Sequence, residues 1–335
     1  MSHSFRIEED TYRVTQGTLE SVSSRWLDTK NALEWHCLFV LPPWLGAWWR
    51  AFGAGSRPYI LEVRKGEDLI GIAPFRIKEA TAWFIGDADV CDYLDFIIAP
   101  GRGPEFFRAL IEELRQQGIR HLDLGPVRAD STVMTGLLPV VVELGCEASL
   151  DREDVSYELA LPTSWEEYLG RLKGSERHEI RRKLRRLEEA AQIESRTVDD
   201  PQEVRHAMDT FLRLFGASRP DKAAFMTSRR VRFFRSLSED MAEAGFLRLS
   251  FLDLNAKTAA AVMCFHDDST VYLYNNGYDN RFRSLSVGFL SKVLSIQQAI
   301  REGKKKFDFL KGTEEYKRRL GGKRVPLHRC RLRIS

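Results

Sequence analysis

The chain has 335 residues, of which 43% are hydrophobic and 30% charged, enough for two globular cores of ordinary size. Lys and Arg number 51 against 48 Asp and Glu, and the net charge of +3 excludes a global field for nucleic acid or a membrane surface. Five scattered cysteines without a CxxC pair argue against a disulfide framework, and MSHSFRIEED at the N-terminus lacks the apolar core of a signal peptide. No uncharged apolar run reaches the roughly 18 residues of a membrane helix, so a cytoplasmic protein without membrane contact is expected.

In chain order, LESVSSRWLDTKNALEW and PPWLGAWWRAFG predict helices, the second with proline in its first turn. YILEVRK, LIGIAPFRI, AWFIG and YLDFII predict strands, the first two joined as a hairpin through KGED. GPEFFRALIEELRQQG is a helix with Phe107, Leu110, Ile111 and Leu114 at helical spacing and Gly118 as its stop, and RHLDLG is a short buried strand. In the second half, SWEEYLGRLKG, SERHEIRRKLRRLEEAAQ, PQEVRHAMDTFLRLFG and SRRVRFFRSLSEDMAEAG are helices. They precede the strands GFLRLSFLDL, TAAAVMCFHD and TVYLYNNGY, the helix SVGFLSKVLSIQQAIREG and the strand KKFDFLKG. Cys264 falls in an apolar strand and is expected in the core.

The halves can be placed in register. At a constant offset of 185 positions, Tyr93, Gly103, Gly118 and Asp123 fall on Tyr278, Gly288, Gly303 and Asp308. With the same order of three strands, helix and strand, this points to an internal duplication; two unrelated α/β units with glycine helix stops are the alternative.

RFRSLSVGF, Arg281–Phe289, lies between a strand and a helix. Backbone N–H groups gather at a helix N-terminus, where the dipole favours an anion such as a phosphate. Gly288 leaves room for close approach, Ser284 and Ser286 add hydroxyls, and Arg281 and Arg283 add charge. A plain helix with Ser286 as N-cap is the other reading of the same residues. Walker, dinucleotide-binding and GxSxG signatures are absent from the sequence.

Arg283-Ser284-Leu285-Ser286-Val287-Gly288 resembles the Q/R-x-x-G-x-G/A element of the GCN5-related N-acetyltransferase (GNAT) superfamily, with Ser286 in place of its first glycine. Phe307-Asp308-Phe309, Gly312, Tyr316-Lys317 and the segment 168–189 are similar to the CelD-type branch associated with cellulose biosynthesis. The two-domain layout resembles Fem-type peptidyltransferases. The resemblance implies tandem GNAT-like acyltransferase domains in an α/β protein, each a mixed, mostly antiparallel sheet flanked by helices. The expected division is 1–160, degenerate, and 161–335, active, because Pro100 and Pro104 remove amide donors from the first cradle.

It also implies acetyl-CoA or another acyl-CoA as co-substrate, held by Arg283, Ser284, Leu285, Ser286, Val287 and Gly288. The acceptor is expected to be a small-molecule or saccharide amine, less favourably a hydroxyl. VYLYNN and KFDFLK are candidates for two splayed parallel strands that receive an amide-bearing arm. A backbone N–H near Leu273 to Asn275 would then face the thioester oxygen.

Asp308, Tyr316 and Tyr278 are the catalytic candidates. A lone acid in an apolar strand needs a reason, either a site role or a structural arginine partner. By the resemblance, Tyr316 is a candidate donor to the leaving thiolate, with a core tyrosine as the alternative. Tyr278 and Asp279 are candidates for the acceptor pocket, with plain packing at a strand end as the alternative for Tyr278. Lys317 is a candidate for a phosphate or anionic acceptor, with a solvated lysine as the alternative. The arginines of 176–189 permit a second reading, a Fem-like transferase using aminoacyl-tRNA, although a solvated face is the preferred explanation. A non-catalytic binding protein that keeps the fold is the third. From Tyr316 onward no acidic residue occurs, which suggests a local preference for anions. Histidine spacing gives no metal site.

Overall fold

The computed structural model describes residues 2–7 and 10–334; Met1, Glu8 and Glu9 of the charged N-terminal stretch, and Ser335, lie outside the described residues. In chain order the first strands and helices are β1 (Ser2–Ile7), β2 (Asp10–Gly17), α1 (Leu19–Leu27), α2 (Pro42–Phe52), β3 (Arg57–Lys65), β4 (Asp68–Lys78), β5 (Thr81–Phe84), β6 (Ile97–Ile98) and α3 (Gly103–Gln116). There follow β7 (His121–Arg128), α4 (Leu138–Glu143), β8 (Glu147–Ala160), α5 (Trp165–Arg171), α6 (Gly174–Ala190), β9 (Ile193–Val198), α7 (Pro201–Ser218), α8 (Pro220–Phe225) and α9 (Ser228–Glu243). The last are β10 (Leu247–Leu254), β11 (Lys257–His266), β12 (Thr270–Tyr278), α10 (Val287–Arg301), β13 (Lys306–Lys311), α11 (Glu315–Arg319) and β14 (Lys323–Arg333).

The chain divides into two compact units, one reaching Asp154 and resuming at Val325, the other Val155–Arg324. The sequence reading placed the boundary at 160 and gave the whole C-terminus to the second domain. The difference arises because β14 returns to β7, with Leu327 opposite Arg128 and Leu332 opposite Leu122.

In the first unit the strands run β1-β2-β3-β4-β5-β7-β14, antiparallel except for the parallel step from β5 to β7. The core behind this sheet is aromatic: Phe96 meets Phe84, Phe106 and Phe107 edge to face at 4.9 to 5.7 Å. The acid-free C-terminal run is not a free basic surface. Arg329 pairs with Asp123 at 2.9 Å and Glu153 at 2.8 Å, and Arg331 with Asp151 at 2.6 Å. These are strand-to-strand ion pairs across β7, β8 and β14, so the expected local anion preference is met by the protein's own carboxylates.

In the second unit the order is β8-β13-β12-β11-β10-β9, where β8 contributes its residues from Ser156. Again every step is antiparallel except one, from β12 to β13. Each unit is thus a mixed α/β fold in which an antiparallel meander leads through a helix to a parallel return strand. The helix stops repeat too: Gly118 after α3 and Gly303 after α10 have φ of 73° and 74°, a left-handed conformation that favours glycine. The shared order of elements agrees with an internal duplication, whereas glycine helix stops belong to unrelated units as well.

Val287, Leu290, Val293 and Ile296 of α10 pack on Val262, Cys264, Leu273, Phe307 and Phe309, so Cys264 is a core residue as expected. Tyr274, the neighbour of Leu273, stacks instead on Phe234 of α9 at 5.7 Å, which sets α7 and α9 on the opposite face of the sheet from α10. Helix α7 comes so near β12 that a Cβ on Gly277 would stand 2.3 Å from the backbone nitrogen of Phe215.

Candidate functional site

The site begins with an opening in the sheet of the second unit. β12 and β13 pair in parallel only at Thr270–Lys306, Val271–Phe307 and Tyr272–Asp308. Beyond these pairs both strands continue, to Tyr278 and to Lys311, without being bonded to each other. Two irregularities accompany the separation. On β12 the register with β11 slips around Tyr274, since Leu273 faces Cys264 and Asn275 faces Met263. On β13 the register with β8 slips between Asp308 and Leu310, where Leu310 has φ 61°.

Asp308 holds this second bulge. Its carboxylate accepts from the Leu310 amide at 2.8 Å and the Ser156 hydroxyl at 3.3 Å, and the residue is fully buried. Lys317 does the same work one turn later. Its buried ammonium donates to the carbonyls of Leu310 at 3.0 Å and Lys311 at 2.5 Å and pairs with Glu314 at 3.1 Å, which occupies all three of its protons. Both residues bind the backbone of β13 where it has left β12. The expectation that Lys317 meets an anionic ligand does not agree with this placement.

At the other end of β12, Asp279 caps a short 3₁₀ turn, Asn280–Leu285. Its carboxylate accepts from the Arg281 amide at 2.9 Å and pairs with the Arg281 guanidinium at 2.6 Å, which holds it below the ordinary carboxyl value. Ser286 then turns the chain into α10 with φ 58° and ψ 31°. The resembling element has glycine here, and the left-handed conformation is the physical reason. Ser286 occupies the N-cap position, yet its hydroxyl makes no capping bond, and its amide already donates to the Arg283 carbonyl at 3.0 Å. The amides of Val287 and Gly288, first in the helix, have no carbonyl one turn back within it.

Gly288 is needed, though for a reason other than ligand approach: a Cβ there would lie 2.5 Å from the Tyr278 ring. Gly288→Ala is expected to displace that ring and lower stability by about 1–3 kcal/mol. A Tyr278→Ala background should remove most of the effect in thermal melts, since the two sites are in contact. Gly103→Ala, where the nearest atom is 4.0 Å away, is the control that should leave the melt unchanged.

Turn, helix start and strand end enclose a pocket of about 370 Å³, within the usual range for small-ligand sites. Its walls are Lys183, Arg219, Lys222, Asn276, Tyr278, Arg283, Ser286, Val287, Gly288, Phe289, Lys292, Glu314 and Tyr316. Lys292 is 6% exposed; its Nζ donates to the Gly288 carbonyl at 2.5 Å and lies 4.6 Å from the centre of the Tyr316 ring. Lys222, from α8, donates to the Asn276 carbonyl at 2.5 Å. Burial above all, then the neighbouring Lys222 ammonium, lowers Lys292 to about 7. Burial and Arg219 lower Lys222 to about 8. Burial would raise the Glu314 carboxyl, but the Lys317 ammonium, a backbone hydrogen bond and Arg219 together hold Glu314 below its ordinary value.

Of the residues expected from sequence, Tyr278, Arg283, Ser286, Val287, Gly288 and Tyr316 meet in this pocket. Leu273, Asn275, Asp279, Ser284, Leu285, Asp308 and Lys317 are not among its walls. Leu273 faces the core, Ser284 is exposed, and the slip at Tyr274 brings Asn276 rather than Asn275 to the wall. Lys222, Lys292 and Glu314 were missed. Lys292 had a signal, being the one charged residue between Arg283 and Arg301. Lys222 had none, because its place depends on how α8 folds back on β12. Among the described residues, no group of three His, Cys, Asp or Glu is placed to hold a metal, and no helix is long and apolar enough to cross a membrane.

Residues 174–318 match the family model described as acetyltransferase (GNAT) domain. No curated protein matches the sequence. Among solved structures, FemX is similar at 12% identity and a TM-score of 0.65, over 95% of this chain and 96% of its own. A conserved protein of unknown function from Bacteroides thetaiotaomicron VPI-5482 aligns at 13% identity and 0.58, over 96% and 99%. L-PGS from Bacillus licheniformis aligns at 8% and 0.54, over 87% and 90%. At such identities these likenesses speak for the fold.

Proposed function

We propose that the second unit is an acyltransferase that moves an acyl group from acyl-CoA to an amine. The observation that carries this reading is the opening between β12 and β13 beside a helix N-terminus in a cationic pocket. The family match over 174–318 supports acyl transfer in general. The residues present fit the donor: the Val287 and Gly288 amides and Arg283 suit a diphosphate, and the β12 edge that has left β13 from Leu273 onward suits an amide-bearing arm added as a strand. Acyl-CoA would supply an acyl group activated as a thioester.

The protein's own groups would then have separate tasks. A backbone N–H in the Leu273–Asn275 stretch is the candidate donor to the acyl oxygen as charge develops there. Tyr316, at the pocket wall beside Lys292, is the candidate proton donor to the departing sulfur, and Tyr278 shapes the acceptor side. Of the two carboxylates, Glu314 stands in the pocket wall and Asp308 does not, although pairing with Lys317 lowers the proton affinity of Glu314. Similarity to the CelD-type branch extends the acceptor class to sugar-linked amines and hydroxyls.

The alternative donor, aminoacyl-tRNA, rests on the Fem-type layout and the basic helix α6. Several cations of that helix already have carboxylate partners: Arg181 with Glu166 at 2.7 Å, Lys183 with Glu179 at 2.9 Å. That favours acyl-CoA.

Acetyl-CoA at one hundred times its dissociation constant should raise stability by about 2.7 kcal/mol, read as a higher melting temperature. A flat response to acetyl-CoA and to longer acyl-CoAs alike would remove this reading.

A further inference from the structure

The cations around the pocket are not equivalent. Lys183 pairs with Glu179, and Arg219 with Asp221 at 2.8 Å. Arg283 is exposed at the turn beside the helix N-terminus, where it serves the cradle. Lys222 and Lys292 differ from all of these. Lys292 is buried and Lys222 half-buried, and among the described residues neither has a carboxylate within ion-pair distance; their partners are the neutral Asn276 and Gly288 carbonyls. Glu314, the pocket's carboxylate, is taken by Lys317.

A buried ammonium with only neutral partners is costly, and two that repel one another are costlier. A protein without use for such a pair could carry methionine at either position with no loss of packing. Their place narrows the use. Lys222 reaches the pocket at Asn276, on the stretch of β12 that has left β13, and Lys292 lies against Tyr316. That is the side where the reacting groups would meet, while the helix amides and Arg283 already provide for a diphosphate.

We propose that Lys222 and Lys292 form a second anion subsite, which receives a carboxylate or phosphate carried by the acceptor, so that the acceptor is an anionic amine. This inference rests on the acyl-CoA reading for the word acceptor; the subsite itself rests on the two lysines. The subsite is fully charged only while both lysines keep their protons. Lys292 faces Lys222 from α8, Glu314 and Lys317 from the α11 region and the Tyr316 ring, and an incoming anion raises the proton affinity of both amines.

The test is calorimetric titration of inorganic phosphate into the full-length protein saturated with CoA, for wild type, Lys222→Met and Lys292→Met. Wild type is expected to bind phosphate with CoA in place. Each variant should lose at least about tenfold in phosphate affinity, the loss of one charge-assisted hydrogen bond, with CoA affinity changed less than about threefold. Lys292→Met should melt at or above the wild-type temperature, because an unpaired buried charge has been removed, and the half-buried Lys222→Met should melt close to it. If CoA prevents phosphate binding, or if the variants lose CoA as strongly as phosphate, the lysines serve the donor's phosphates and the proposal is wrong. Wild type that binds no phosphate beside CoA overturns it as well. Lysine-dependent phosphate binding in a protein that does not bind CoA would keep the subsite and remove the acyl-CoA reading instead.

Discussion

Gly277→Ala is expected to destabilise the second unit by about 3 kcal/mol or more, the upper end of what overpacking does. The new Cβ would stand 2.3 Å from the Phe215 nitrogen, 2.5 Å from the Leu214 carbonyl carbon and 2.6 Å from the Phe215 Cα. All three are backbone atoms, so no side chain can swing away, and α7 must leave β12. Its C-terminal end leads through Arg219 to α8, which carries Lys222 into the pocket; ligand binding should fail together with stability. Gly216, one position along in α7, has open space around a Cβ. Gly216→Ala should therefore stabilise by about 0.5–1 kcal/mol through helix propensity. Urea melts of the two variants give opposite signs. A Gly277→Ala protein as stable as wild type would contradict the close approach of α7 to β12.

The second large effect concerns Ser286. Proline fixes φ near about −65° and has no amide, whereas this position has φ 58° and donates to Arg283. Ser286→Pro should therefore disrupt the entry into α10, with a loss of about 3 kcal/mol or more and no CoA-induced shift in melting. Ser286→Gly relieves the left-handed strain and should stay within about 1 kcal/mol of wild type while keeping that shift. Ser286→Ala distinguishes the two views of this residue. A bonded cap would lose about 1 kcal/mol on losing its hydroxyl; with no capping bond here, the loss should be only a few tenths. Three variants melted with and without CoA decide the matter.

The parts of the fold legible in the sequence were those with one face in the core. β3, β4, β10, β11 and β12 show apolar runs, and α3 has a stripe at helical spacing. β8 was not legible, because its first seven residues, Glu147–Glu153, are all exposed and show no alternation. β14 resembled a basic tail, although Cys330, Leu332 and Ile334 alternate with Arg329, Arg331 and Arg333; the slip between His328 and Cys330 interrupts the pattern. YLDFII was expected as a full strand and contributes only Ile97–Ile98. LESVSSRWLDTKNALEW was expected as one helix and ends at Leu27, with Asp28 as its C-cap.

For the site, the turn Arg283–Gly288 was legible because serine and glycine crowd into one helix entry. The roles of Asp308 and Lys317 were not, since alternation predicts a direction and says nothing of a bulge that needs its own carboxylate. Glu314 and Lys222 are in the pocket through α11 and α8, whose positions no local pattern encodes.

The two kinds of strand pairing in the second unit differ in how soon the chain can make them. β10 and β11 meet across Asn255 and Ala256, both with positive φ, a tight reversal that forms from neighbouring residues alone. β12 and β13 can meet only after α10 has been traversed, and they share just three residue pairs when they do. Contacts that require a whole helix to be traversed first carry a larger loop-closure cost and are expected to form late. The slot and the pocket beside it would then be among the last features to form and the first to be lost, and an occupant would slow the unfolding of the chain while leaving its rate of folding untouched.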